Sequence, residues 1–354
     1  MFIKMTIYSL FIAIQLSFAA DNLEISEEEL AQNKAYNQAL YTFLRHNSSP
    51  KIQLISYSSY LSDEEKDFKA IKQVLDKTIN TKSDEQTLFL ADNLCHTDKK
   101  LKSWCHKKQI HQIHQQVDPE NIMTYVNALH DEESPQSTSK WVNLVSNKSS
   151  YSNSFFFELS LLLSEQVSLF NQSNPSLFNN EREINNLSKR AIELRLIEKG
   201  LINQNYRENF PKTVAIIESI GIVMAQTVAF RYFTEPCKND RFTNQCKHFS
   251  TVLQSSKSYL DAMIGEAIGK MIGETSQTSN KWKQLSCFIS LNDVNATLVY
   301  NSVLAQQYLK DAIEFSEVEA WNKLAYKVYN IERSHGFNPD FNPHDCEKNL
   351  KGID

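Results

Sequence analysis

The residues best suited to chemistry lie near the carboxyl end of the chain. His335, Asp340 and His344 occur within ten residues of one another, around the sequence Phe-Asn-Pro-Asp-Phe-Asn-Pro-His at 337–344. Imidazole and carboxylate groups act as general acids and bases and as metal ligands. We therefore take His335, Asp340 and His344 as candidate catalytic residues of a hydrolase-like secreted enzyme. An irregular strap laid over a helical bundle explains the same residues without catalysis.

A second group of histidines follows a run of lysines. His111 and His114 are three residues apart, so on a helix both side chains face one side and are candidate zinc ligands. Five lysines between positions 99 and 108 oppose a divalent cation, and no carboxylate lies between the histidines. The pattern favours an exposed basic helix held by a disulfide, and we predict no metal and no other cofactor.

The sequence lacks the short motifs of several enzyme classes. It contains no Gly-x-Ser-x-Gly, no His-Glu-x-x-His, no Walker loop and no Gly-x-Gly-x-x-Gly. The formal net charge of −5 does not indicate a nucleic-acid partner. A helical enzyme that uses scattered Glu and His residues stays an alternative, because such enzymes often have no short signature.

Cysteine number and spacing predict disulfides. There are six cysteines, an even number, for which fifteen pairings exist. Short separations favour two of the pairs and leave the third to close a long loop. The predicted pairs are Cys95 with Cys105, Cys237 with Cys246, and Cys287 with Cys346. On the chain-entropy model, a short loop contributes roughly 2–3 kcal/mol and the long loop about 4 kcal/mol.

The first residues predict export. Lys4 precedes an apolar segment at 7–18, which is too short to span a bilayer, and Ser17 and Ala19 supply small residues for cleavage after Ala19. We expect residues 1–19 to be a signal peptide and the mature chain to be periplasmic or secreted. Oxidised cysteines suit such a compartment.

Composition favours an all-α fold. Glycine accounts for only 7 of 354 residues and proline for 8, whereas glycine averages about 7% of residues in proteins. Hairpins and dinucleotide-binding loops need glycine, but long helices do not. We predict stacked antiparallel helical hairpins linked by disulfides. Four predicted helix starts are Ser26 with Glu29, Ser62 with Glu65, Ser83 with Gln86, and Asp118 with Pro119.

Polar, turn-rich residues at 171–180 predict a linker between two helical regions. We expect an N-terminal helical-hairpin region at 20–170, a C-terminal helical bundle at 181–335, and an irregular strap at 336–354. Residues 213–230 form an apolar segment that also contains polar residues. These polar residues favour a buried central helix over a membrane span.

The residues from Asp118 to Asn121, followed by Tyr125, resemble the opening of a tetratricopeptide-type repeat. The resemblance covers residues 118–151, and it places Trp141 and Tyr151 in the helix that follows. It implies helical-repeat packing and at most a protein-binding surface.

Gly265, Gly269 and Gly273 recur every four residues in the segment 258–274 and form a ridge on one helix face. Such a ridge allows another backbone to approach closely. Tight packing in a bundle explains the ridge, with Glu266 and Lys270 facing solvent. A membrane-active or toxin-like helix is the alternative.

Together these patterns predict an exported, non-enzymatic binding or scaffold protein of a bacterial envelope. We expect its partner to be another protein or an envelope component, with no nucleic acid bound and no stable membrane span in the mature chain. The enzyme and the membrane-active protein are the two alternatives.

Overall fold

The computed structural model describes residues 27–58, 67–80, 83–127, 135–178, 191–204, 206–224, 231–274 and 279–348. Within these ranges the chain is helical, as predicted, and contains no strand, only an isolated bridge between Asn121 and Tyr151. The chain divides into two compact units between Leu40 and Tyr41. The described part of the first unit is helical, and all the sites discussed below lie in the second. The predicted cleavage site at Ala19 lies outside the described residues.

The described part of the first half of the chain contains α-helices and a 3-10 turn, Ile122–Tyr125. The α-helices are α1 (Glu27–Arg45), α2 (Pro50–Ser58), α3 (Phe68–Asn80), α4 (Glu85–Thr97), α5 (Lys99–Lys108), α6 (Ile110–Val117), α7 (Pro135–Lys148), α8 (Phe156–Ser173) and α9 (Pro175–Phe178).

The second half carries the helices that form the candidate site, together with 3-10 turns at Pro236–Lys238 and Asp240–Phe242. The α-helices are α10 (Tyr206–Met224), α11 (Arg231–Thr234), α12 (Thr243–Gln254), α13 (Tyr259–Met271), α14 (Ser279–Ile289), α15 (Asn292–Tyr300), α16 (Ser302–Glu314), α17 (Glu317–Ser334) and α18 (Pro343–Lys348).

The start of α4 differs by one residue from the prediction. Asp84, not Ser83, is the N-cap, and its Oδ1 accepts hydrogen bonds from the Thr87 backbone N–H at 2.9 Å and the Thr87 hydroxyl at 2.8 Å. The Ser83 hydroxyl instead donates to the carbonyl of Thr78. Aspartate supplies the capping oxygen as well as serine does, so the helix forms at the predicted place. The predicted starts at Ser26 and Ser62 lie outside the described residues.

Asp118 does not begin a helix but ends α6. The cap of the following 3-10 turn is Asn121, whose Oδ1 accepts from the backbone N–H groups of Met123 and Asn153. The Asp118 carboxylate accepts a hydrogen bond from the Tyr151 hydroxyl at 2.5 Å instead, and Tyr151 lies beyond the end of α7. The packing of helix on helix is compatible with a helical-repeat fold. The segment after Asp118, however, begins with a 3-10 turn instead of the predicted α-helix.

The core of the second half forms where α8 packs along α10 and where α16 packs on α17. Its largest buried members include Phe157, Phe288 and Trp321. Helix α10 contains most of the apolar segment predicted at 213–230, of which residues 225–230 are outside the described part. Among the described residues, no helix combines the length and apolar character required to cross a bilayer. The division into regions 20–170 and 181–335 stays a prediction.

Two glycines of the ridge allow α13 to approach α12 closely. A Cβ on Gly265 would lie 2.7 Å from the Ser250 carbonyl oxygen, and the Ser250 hydroxyl donates to the Gly265 carbonyl at 2.7 Å. A Cβ on Gly269 would lie 2.9 Å from the Ser250 hydroxyl. Gly273 lies beyond the end of α13, where an added Cβ would meet open space, so this glycine does not extend the ridge.

The prediction that Glu266 and Lys270 both face solvent is correct for Lys270 only. Lys270 is exposed, but Glu266 is buried, and its Oε1 lies 2.6 Å from the Lys270 Nζ. The long lysine side chain thus reaches over the helix surface while its ammonium covers a buried carboxylate.

The six cysteines form the three predicted disulfides. Cys95–Cys105 joins α4 to α5, and Cys237–Cys246 joins the 3-10 turn after α11 to α12. The third bridge spans 59 residues and ties α18 to α14. It places the carboxyl-terminal helix against the bundle.

Candidate functional site

The carboxyl-terminal helix α18 brings two polar side chains to α17. The Tyr326 hydroxyl lies 2.6 Å from the His344 Nδ1 and 2.9 Å from the Glu347 Oε2. The His344 Nδ1 lies 3.2 Å from the same Glu347 oxygen, and the Asn322 amide donates to the other Glu347 oxygen. Helix α17 supplies Asn322 and Tyr326 one turn apart, and α18 supplies His344 and Glu347 one turn apart, so four side chains meet at the contact of two helices.

The network fixes the role of each group. Tyr326 donates its proton to the Glu347 carboxylate, so the His344 Nδ1 must carry hydrogen to bond the tyrosine oxygen. Burial raises the pKa of Tyr326 to about 12, and the bond to Glu347 adds to that increase. Burial also raises the pKa of Glu347, but the bonds from Tyr326 and His344 outweigh it and the net shift is downward.

A shallow depression of about 540 Å³ runs along α17 beside this network. We call it the α17 groove. Its lining residues recur every three or four positions, so they form one face of the helix: Glu319, Asn322, Lys323, Tyr326, Lys327, Asn330, Ile331 and Ser334. The face combines amides, hydroxyls and charges of both signs around one aliphatic side chain. It is open to solvent, and it offers many hydrogen-bonding groups in a row.

The two lysines of the groove differ in their surroundings. The Lys323 Nζ lies 3.2 Å from the centre of the Phe315 ring and 3.6 Å from the Asp311 Oδ1. Its ammonium is therefore held in one place by a cation–π contact and an ion pair. Lys327 is exposed and extends from the groove into solvent.

The structure does not gather the three candidate catalytic residues on shared partners. His335 lies at the end of α17, where its Nδ1 is 2.9 Å from the carbonyl of Ile331 and its ring covers Gly200. Gly200 has φ +72°, so both its backbone and the ring above it exclude a side chain there. Asp340 is exposed on the segment between α17 and α18. Only His344 joins a polar network, and its carboxylate partner is Glu347.

The second pair of candidates, His111 and His114, meets a carboxylate that the sequence pattern did not reveal. Both Nδ1 atoms lie 3.1 Å from the Oδ2 of Asp92, which α4 contributes. His114 is 1% exposed and Asp92 is 3% exposed, so this part of the basic segment is buried rather than solvent-facing. Burial raises the pKa of Asp92, but the hydrogen bonds and charges of the two histidines lower it well below its usual range.

The Nδ1 atoms of both histidines therefore contact the Asp92 carboxylate and do not face a shared metal site. The His111 Nε2 lies 2.7 Å from the Gln115 side-chain nitrogen. Across the ranges that the structure describes, no group of three or more His, Cys, Asp or Glu residues has the geometry to hold a metal ion.

Sequence reasoning missed Tyr326, Glu347 and Asp92. The apolar face of α17 could be read from its spacing, and Tyr326 belongs to the opposite, polar face, which no motif distinguishes. Asp92 carried a usable signal, since it is a charge within the apolar run Leu88 to Leu94, and a charge buried there requires partners.

Comparison of the chain with protein-family models, with curated proteins and with solved structures finds no match. The function is therefore argued from the geometry of this chain alone.

Proposed function

We propose that the chain is an exported, non-enzymatic binding or scaffold protein of a bacterial envelope, and that the α17 groove receives an extended segment of another protein. This role is of the kind that the resemblance to helical-repeat proteins implies. The groove lies on a helix of the second unit whose opposite face is buried in the core.

Two features support export. The apolar segment at 7–18 with its cleavage signal at Ala19 suits a signal peptide. All six cysteines are paired in disulfides, and no cysteine of the chain is free. Structural disulfides persist in oxidising compartments such as the periplasm and the cell exterior.

The dimensions of the groove suit an extended peptide. From Glu319 to Ser334 the helix rises about 1.5 Å per residue, which gives a length of roughly 22 Å. A strand advances about 3.3 Å per residue, so roughly six or seven residues of an extended segment match the groove. Amide and hydroxyl groups along the floor offer partners to the backbone of such a segment, and Ile331 offers an apolar contact.

The observation that carries the proposal is that Tyr326, which lines the groove, is held in a fixed position by side chains of α18. Tyr326, His344 and Glu347 hold one another in place, and the Cys287–Cys346 disulfide fixes the helix that carries two of them. Binding groups that are ordered beforehand lose less conformational entropy when a ligand arrives. A rigid, open, polar surface is suited to recognition.

Site-specific crosslinking tests the proposal. We expect a photoreactive phenylalanine analogue at Asn330, inside the groove, to yield discrete crosslinked products with proteins of an envelope extract. Gln172 on α8 is the matched control, since it is an exposed amide on another helix. The analogue at Gln172 should yield none of the products formed at Asn330.

A second variant distinguishes binding at the groove from non-specific crosslinking. Lys327→Glu reverses a charge at the groove without removing a buried contact, and it should reduce the crosslinks formed at Asn330 at least several-fold. Identical products from Asn330 and Gln172, or no products from Asn330, would contradict the proposal.

A further inference from the structure

A strongly basic surface lies on α5, away from the α17 groove in sequence. Residues 99–117 contain five lysines and three histidines but no aspartate or glutamate, in a chain whose formal net charge is −5. Helix α5 buries only Leu101 and Cys105. Its lysines are all exposed, so the outward side of this helix is cationic.

The helix is held so that this side stays outward. The Cys95–Cys105 disulfide ties α5 to α4. The Asp98 side chain caps its start by accepting from the Lys100 backbone N–H at 3.0 Å. Gln109, with φ 57°, ends the helix by turning the chain into α6. The lysines thus form a fixed array and not a flexible tail.

Two aromatic rings lie within the array. The Lys100 Nζ is 5.1 Å from the centre of the Phe68 ring, and the Lys108 Nζ is 5.4 Å from the centre of the Trp104 ring. Both rings are half-buried. Lys108 also pairs with Asp76 at 2.7 Å, so its charge is partly neutralised. Lysines beside partly exposed aromatic rings are typical of surfaces that lie against a membrane interface.

The positions of these rings argue against single-stranded nucleic acid. Nucleic-acid grooves use open aromatic faces on which bases stack. Here Lys100 and Lys108 each lie over one face of a ring. A lipid surface needs no stacking, since it is recognised by charge and by shallow contact of aromatic rings with headgroups.

We propose that the cationic side of α5 (Lys99, Lys100, Lys102 and Lys107) docks peripherally on a membrane surface rich in anionic phospholipid headgroups. Acidic residues elsewhere in the chain do not cancel the attraction, because charges more than about 8 Å apart are largely screened at physiological ionic strength. The proposal goes beyond the groove on α17, since it uses a different helix and a different kind of partner.

Vesicle sedimentation tests this docking surface with the full, oxidised chain. We expect binding to vesicles of 70% phosphatidylcholine and 30% phosphatidylglycerol and little binding to pure phosphatidylcholine. Each lysine near an anionic surface contributes about 1 kcal/mol, or roughly fivefold in affinity. Lys99→Gln with Lys107→Gln should therefore weaken binding about 25-fold.

The matched control removes the same charge elsewhere. Lys148→Gln with Lys310→Gln alters two exposed lysines on α7 and α16 and should change binding less than threefold. An independent measurement on the unaltered protein is salt dependence, since raising the salt from about 0.05 M to 0.5 M should abolish an association of this kind.

Three results would overturn the proposal. One is equal binding to both vesicle types. Another is equal loss of affinity in the two double variants. The third is binding to soluble polyphosphate without binding to the anionic vesicles, which would assign the surface to a phosphate polymer instead.

Discussion

At the scale of single residues, the clearest lesson is how a buried charge acquires partners. Asp92 lies within the apolar run of α4, yet it is compensated by two imidazoles from α6. Both histidines had been interpreted as candidate metal ligands because of their spacing. The structure shows that the same spacing serves a carboxylate, because residues three apart on a helix face one side whatever lies opposite them.

We expect Asp92→Ala to lower the free energy of unfolding by about 3 kcal/mol, because it removes the buried carboxylate that the Nδ1 atoms of the buried His114 and the half-buried His111 both contact. Asp76→Ala is the control, since it breaks an exposed pair with Lys108 that is worth about 1 kcal/mol or less. Urea unfolding of both variants at pH 7 provides the measurement. Equal losses in the two variants would show that the buried network contributes nothing beyond a surface pair.

At the scale of elements, the helical character of the chain was easier to predict than the points where helices begin. The scarcity of glycine and proline correctly indicated an all-α chain, and the start of α4 was predicted within one residue. The helix start predicted at Asp118 was wrong, because an aspartate can either cap a helix or accept a hydrogen bond from a distant hydroxyl. Tyr151, 33 residues further on, supplies that hydroxyl. Local spacing carries no information about such a partner.

The Cys287–Cys346 bridge fixes α18, which carries the partners of the groove residue Tyr326. Replacing both cysteines by serine should lower the free energy of unfolding by about 4 kcal/mol on the loop-entropy model. It should also release α18, which we expect to increase hydrogen exchange at 343–348 and to reduce crosslinking from Asn330.

Serine at both Cys237 and Cys246 is the matched control. That bridge closes a separation of 9 residues, so its removal should cost about 2–3 kcal/mol. It should leave the exchange of residues 343–348 unchanged. An equal rise in exchange there would argue that any disulfide loss loosens α18 through general destabilisation.

At the scale of the second unit, buried acids set the pH dependence of stability. Asp261 is fully buried, and burial raises its pKa to about 6, although hydrogen bonds from Ser152 and Ser256 oppose the increase. Burial likewise raises the pKa of Glu317 to about 7. Burial and the nearby charge of Asp293 raise the pKa of Glu332 as well.

An acid whose pKa is higher in the folded state than in the unfolded state binds more protons when folded. Between those two values, stability therefore falls as pH rises. We expect the free energy of unfolding to decline between about pH 4.5 and pH 7. Asp92 does not reverse this, since the stability that its lowered pKa contributes is nearly complete above about pH 5 and is lost mainly in stronger acid.

Glu317→Gln should flatten this decline by up to about 3 kcal/mol, because glutamine cannot ionise but its oxygen can still accept the Tyr259 backbone N–H. Glu319→Gln, at an exposed position two residues further along α17, should leave the decline unchanged. Chemical denaturation from pH 4.5 to 8 measures both. A Glu317→Gln protein with an unaltered pH profile would contradict the assignment.

Sequence thus predicted the class of fold and the cysteine pairing, since composition and short cysteine separations express them locally. It predicted the site less well. His344 was identified, but its partners Tyr326 and Glu347 belong to a contact between two helices that only tertiary packing defines. Glu266 was expected in solvent from its position on a helix face, and its burial in the folded chain was not visible in the pattern.

The three disulfides differ in what must precede their formation. Cys95 meets Cys105, and Cys237 meets Cys246, across separations of 10 and 9 residues, so neighbouring segments alone can bring their sulfurs together. The third bridge encloses α15, α16 and α17 within its loop, and in the folded chain the packing of α18 against α14 holds its two sulfurs together. Its formation therefore reports a contact between distant segments of the carboxyl-terminal bundle, whereas the two short bridges report only local structure.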